Sequence, residues 1–232
     1  MRNIRNEWLG RLVGCAMLAT VPLMVPTLSN AQAPPGPPPP APIMPPALPP
    51  AHVVDLMTAT GAAALGAQWK TMEAKIIEVP PIPTALPGYT KGYDIDPHAG
   101  AGNYDDSKWP TIEPKDLAAR RGGGRVSFIW YRTTLTIPAK IGDFDTTGAV
   151  AVLHVLVDDY AEIWVNGQIP RRLGRPSPAT IQGFNMPNRV VLSETVNAGD
   201  SFQIAVFGIN GPISLAPPNT VWFREAKMEF IR

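Results

Sequence analysis

Between Val157 and Gln168 the chain reads "VDDYAEIWVNGQ". From Ala161 onward, Ala161, Ile163 and Val165 alternate with Glu162, Trp164 and Asn166. That is the two-residue period of a strand with one buried face. Asn166-Gly167 then supplies the dipeptide that tight hairpin turns favour, because both central positions tolerate positive φ. Asp158 and Asp159 are neighbours on extended chain and should point to opposite sides. Glycosidases need two carboxylates roughly 5 to 10 Å apart across a cleft, so these two cannot form that pair with each other. The stretch therefore predicts a strand and a turn whose polar start lines a rim.

The same texture continues on both sides. "TMEAKIIEV" (Thr71–Val79), "VSFIWYRTTLTIP" (Val126–Pro138), "NRVVLS", "DSFQIAVFGIN" and "VWFREAKMEFIR" are short β-rich runs separated by Gly, Pro and Asn turns. "GAVAVLHVLV" (Gly148–Val157) is almost wholly apolar and predicts a central strand covered on both faces. Seven or more such strands predict an all-β fold, an antiparallel sandwich of jelly-roll type. The one helical candidate is "PKDLAARR", Pro114–Arg121, ended by three glycines. No repeat of propeller or solenoid length is visible.

The first fifth of the chain has a different character. Arg2, Arg5 and Arg11 precede an uncharged apolar run from Leu12 to Leu28, followed by "SNAQA". This pattern predicts a secretory signal spanning 1–31, and the run, broken by Pro22 and Pro26, is short for a membrane span. From Pro34 to Pro50 there are eleven prolines in seventeen residues. Residues 32–50 thus read as an extended polyproline linker of about 50 Å, with a sandwich domain over 51–232. The lone cysteine, Cys15, falls inside the predicted signal with charged sequence before it, so neither lipidation nor a disulfide is expected. Periplasmic or secreted localisation follows from this reading.

Charge narrows the partners. Residues 1–31 hold three arginines and one glutamate of the 20 basic and 19 acidic residues, leaving 17 and 18, a formal charge of −1. That is no footprint for nucleic acid. No basic amphipathic helix suits a membrane surface. A neutral or weakly polar ligand fits better.

No G-x-S-x-G occurs, although a Ser-His-Asp set is defined by geometry and needs no such elbow. "RGGGR" (Arg121–Arg125) lacks the ending of a phosphate loop. His52, His98 and His154 lie far apart, and His154, inside the apolar strand, reads as a core residue. "YDIDPHAGAGNYDD" (Tyr93–Asp106) sets Asp94, Asp96 and Asp105 among glycines. Carboxylates and loop carbonyls are what calcium takes, but Ala99 occupies the glycine position of an EF-hand loop. A structural calcium and a solvated acidic loop both remain open. Sugars need aromatic faces and fork-like polar groups. Trp130, Tyr131, Arg132, Tyr160, Trp164, Asn166, Trp222 and Arg224 supply the mix, with Trp130 and Trp222 better read as packing. The candidate ligand site is Asp159, Tyr160, Trp164 and Asn166, with Arg171 and Arg172 placed to meet a carboxylate.

Three stretches, "YDDSKWPTI" (Tyr104–Ile112), "FIWYRTTLTIP" (Phe128–Pro138) and "VDDYAEIWVNGQ", resemble the N-terminal sugar-binding β-sandwich of glycoside hydrolase family 2. With "GFNMPNRVVL", "IAVFGINGPIS" and "VWFREAKMEF", the region from about Gln68 is similar to the galactose-binding-like domain that accompanies gluconolactonase-type β-propellers. The resemblance implies a jelly-roll accessory domain whose partner enzyme carries the catalysis. Neither the propeller's metal nor the glycosidase carboxylates fall within these stretches. The expectation is a non-catalytic domain binding carbohydrate or a sugar acid, beside a propeller-type lactonase or another periplasmic enzyme. A small gluconolactonase-related hydrolase and a protein–protein interaction module are the alternatives.

Overall fold

The computed structural model describes residues 48–83, 87–172, 175–176, 181–183, 186–211 and 218–232. The predicted signal and nearly all of the proline tract lie outside them. The chain divides into two units at Pro38/Pro39, and every described residue belongs to the second. No helix among the described residues is long and apolar enough to cross a membrane.

The strands are β1 (His52–Asp55), β2 (Trp69–Glu73), β3 (Lys75–Val79), β4 (Gly92–Asp96), β5 (Thr111–Ile112), β6 (Ser127–Thr136), β7 (Lys140–Ile141) and β8 (Phe144–Asp145). They continue as β9 (Val150–Asp158), β10 (Tyr160–Val165), β11 (Arg171–Arg172), β12 (Arg175–Pro176), β13 (Ile181–Gln182), β14 (Asn188–Ser193), β15 (Ser201–Asn210) and β16 (Trp222–Ile231). Two antiparallel sheets form the body. One runs β1-β16-β9-β14 and the other β13-β10-β15-β6-β2-β5. Their facing side chains make one core: Leu153, Val155, Phe223, Met228 and Phe230 from the first, Ile129, Tyr131, Leu135, Ile163 and Val206 from the second. The predicted antiparallel sandwich is what the chain forms. Tyr131 crosses this core edge-on to Phe223, 4.8 Å between centroids, and burial pushes its phenol up to about 12.

Three elements differ from expectation. "TMEAKIIEV" is two strands, because the chain leaves the six-stranded sheet at Ala74 and pairs β3 with β4 in a separate ribbon. The ribbon leaves Ile76 and Tyr93 exposed. A second helix, α1 (Ala59–Ala64), precedes the predicted one, which shortens to a 3-10 helix at Pro114–Ala118. Its signal was Thr58, whose side chain accepts from Gly61 N, ahead of an alanine run. Six residues show too little periodicity to stand out.

The apolar strand β9 is central, but only one of its faces enters the core. The other carries Val152, His154 and Leu156. His154 is therefore on the outer face, correcting its placement in the core. It lies 3.3 Å from both Glu225 and Glu229, whose partners include Lys227 and Arg189. Cross-strand charge surrounds His154 on this face.

Candidate functional site

The odd-numbered residues of β15 and the even-numbered residues of β10, β6 and β2 form the outer face of the six-stranded sheet. The register sets Tyr160 beside Ile209 and Phe128, and Glu162 beside Phe207, Trp130 and Met72. Trp164, Ala205, Arg132 and Lys70 make the next row. This face has its own apolar cluster, in which Trp130 packs 4.7 Å from Phe207 and 6.3 Å from Trp164. Trp130 is thus buried under a loop, as its sequence setting suggested. Trp222 is half-buried, with the Arg120 guanidinium 4.3 Å over its ring.

The loop is the acidic, glycine-rich segment 97–109, and Arg132 pins it. Its guanidinium, 2 % exposed, donates to Asp106 Oδ2 at 2.8 Å and to the carbonyls of Ala99 and Ala101. Lys70 Nζ donates to the other Asp106 oxygen at 2.7 Å. Burial alone would raise the Asp106 carboxyl, but the hydrogen bonds from Lys70 and Arg132 outweigh it and hold the group below its ordinary 3.8. A depressed carboxylate stabilises the fold above its unfolded value and loses that contribution as pH falls. Acid titration of unfolding should therefore show stability lost below about pH 4, with a shallower slope in Asp106→Asn.

The glycines of "HAGAG" answer to packing. A Cβ on Gly100 would lie 2.6 Å from the Trp164 ring, and one on Gly167 would lie 2.4 Å from Gly102 N. Backbone thus lies flat against the indole and against the hairpin tip. The tip itself is as predicted: Asn166 and Gly167 have φ of 49° and 83°, and Val165 and Gln168 close the turn.

The proposed calcium donors do not assemble. Asp94 faces His98 at 3.0 Å, Asp96 faces Lys75 at 3.3 Å, and Asp105 accepts from Ser107 N at 2.9 Å. Among the described residues no group of three or more His, Cys, Asp or Glu could hold a metal. Each aspartate stabilises its own turn or strand end instead.

Of the candidate ligand residues, the structure brings two together. Tyr160 and Trp164 share one face of β10, two residues either side of Glu162, which the sequence reading passed over. Tyr160 Oη donates to Glu162 Oε1 at 3.1 Å, and Trp164 Nε1 donates to Oε2 at 3.4 Å. Burial first, then the Glu162 charge, raises the Tyr160 phenol well above its ordinary value. The signal for Glu162 was the alternation itself, since the residue between two same-face aromatics must share their face. Asp159 is the link between β9 and β10, where the chain passes from one sheet to the other, so the acid pair sits at a corner and not within one extended strand. Its Oδ1 is buried with no hydrogen-bond donor among the described residues, and burial, then Asp158, raises its carboxyl. Asn166 is exposed, but its Oδ1 accepts from Gln203 N at 2.9 Å, which gives it a structural task. Arg171 and Arg172 form β11 opposite β12, and their side chains lie outside what is described. A depression of ≈ 330 Å³ adjoins Trp164, lined by Gly167, Gln168, Ile169 and Pro170.

No protein-family model matches the sequence, and no curated protein does. Solved structures similar to the chain include glycoside hydrolases. A β-glucuronidase from Bacteroides uniformis is 18% identical with a TM-score of 0.38, over 71% of this chain and 18% of its own. A glycosyl hydrolase family 2 member from Bacteroides cellulosilyticus is 16% identical with a TM-score of 0.37, over 70% and 20%. A β-glucosidase from Kluyveromyces marxianus is 9% identical with a TM-score of 0.34, over 75% and 19%. The chain spans about a fifth of the length of these enzymes.

Proposed function

We propose that this is a non-catalytic carbohydrate-binding accessory domain, exported through the 1–31 signal and held off by the 32–50 proline linker. One observation carries the reading. Tyr160, Glu162 and Trp164 stand in a row on one sheet face, two aromatic rings braced by a carboxylate that takes a proton donor from each. Aromatic faces cover the C–H surfaces of a sugar ring, and a carboxylate accepts from its hydroxyls. The brace fixes both rings before binding, which spares the ordering cost. The chemistry then belongs to a partner enzyme acting on the same sugar, of the propeller-lactonase or glycosidase kind.

Calorimetry with a panel of neutral sugars and sugar acids tests this. Binding in the millimolar range or tighter is expected, weakened about tenfold (~1.4 kcal/mol) by Tyr160→Ala and by Trp164→Ala. Turnover of a lactone above the buffer rate by the purified protein would replace the reading with the hydrolase alternative.

A further inference from the structure

A second concavity lies on the same outer face, beyond Ala205 from Trp164. It measures ≈ 220 Å³ and is lined by Gln68, Lys70, Asp106, Arg132 and Thr134 among others. The register sets Lys70 directly beside Arg132 across β2 and β6. Two cations and one carboxylate leave the pit one positive charge in excess.

Most of its hydrogen-bonding capacity is spent, and what remains is informative. Both Asp106 oxygens are taken, one by Lys70 and one by Arg132. Arg132 is buried and committed to Asp106 and to the carbonyls of the 97–109 loop. Lys70 Nζ gives one proton to Asp106 Oδ1 and one to Asp106 O at 3.1 Å. An ammonium has three, so one donor remains with no acceptor among the described residues. The Lys70 side chain is 21% exposed, so this donor is partly shielded from water and still reachable. Gln68 adds an amide that both donates and accepts, and Thr134 adds a hydroxyl on the same face.

We infer that this pit is a binding site for a hydroxylated carboxylate of monosaccharide size, its carboxylate on Lys70 and its hydroxyls on Gln68 and Thr134. The excess charge favours a monoanion over a neutral ring, and partial burial keeps that preference from being fully screened. The pit shares no side chain with the Tyr160–Glu162–Trp164 row, so it stands or falls separately from that reading.

The test is calorimetry on the full chain carrying Tyr160→Ala, which removes the aromatic row's contribution, with glucuronate, gluconate and glucose as probes, at low and high salt. Glucuronate or gluconate should bind at least tenfold more tightly than glucose, with the advantage shrinking as salt rises. Against that background Gln68→Ala should weaken the acid severalfold and Gln68→Trp, which fills the pit, should abolish its binding. Unchanged thermal unfolding of both Gln68 variants confirms that the fold is intact. The inference is overturned if, in the Tyr160→Ala background, glucose binds as tightly as the acids, no acid binds at millimolar concentration, or acid binding survives Gln68→Trp.

Discussion

Arg132→Ala should cost about 3 kcal/mol of stability and lower the melting temperature by roughly 10 °C. The side chain is long and charged, yet it is almost completely buried, so its loss is unlike that of a surface arginine. Removing it leaves Asp106 with only Lys70, and strips the carbonyls of Ala99 and Ala101 of their donor. Unpartnered buried acceptors bear the full desolvation penalty. The effect should be local in origin, since the guanidinium fastens one loop to one sheet face. Near-ultraviolet circular dichroism should accordingly lose signal from Trp130 and Trp164 before the secondary structure melts. Arg132→Lys should recover less than half of the stability, because an ammonium cannot reach the carboxylate and two carbonyls in the geometry of the planar fork.

Gly100→Val carries the next largest expected effect, about 2 kcal/mol or more. The position has ordinary backbone, so the cost is contact and not conformation. A Cβ there meets three atoms of the Trp164 ring within 2.8 Å. The indole is braced by Glu162 on one side and by Trp130 on another, so it cannot yield without breaking those contacts. Gly88→Val, where nothing lies within 4 Å, provides the contrast. It suffers only from its positive φ and should leave the Trp164 signal untouched.

What the sequence discloses and what it withholds follow from the range of the interactions. Strands β14, β15 and β16 are legible to within a residue because alternation and turn residues are local signals. The hairpin tip is legible for the same reason, as Asn166-Gly167 encodes its own backbone. Two properties of "YDIDPHAGAGNYDD" are not local. Its aspartates look like a cation loop, but the glycines exist to let backbone approach Trp164, which is more than sixty residues away in sequence. Likewise Asn166 looks like a hydroxyl-binding group until the register brings Gln203 beside it. His154 misleads in a similar way. A run of apolar neighbours marks a central strand, but it cannot say which outer-face residue will meet Glu225 and Glu229 from β16. Glu162 could have been found, since the alternation that places Tyr160 and Trp164 together places it between them.

On the proposed function, the braced aromatic row on β10 is where a sugar lands. The domain's tryptophans give a direct readout, since each indole N–H is a separate resonance in a 15N-labelled sample and Trp164→Phe identifies the one that matters. Saturating neutral sugar should move the Trp164 signal strongly and its neighbour Trp130 weakly, while Trp69 and Trp222 stay in place. Binding that shifts Trp222 and leaves Trp164 unmoved, or no shift of any indole at millimolar sugar, would contradict it.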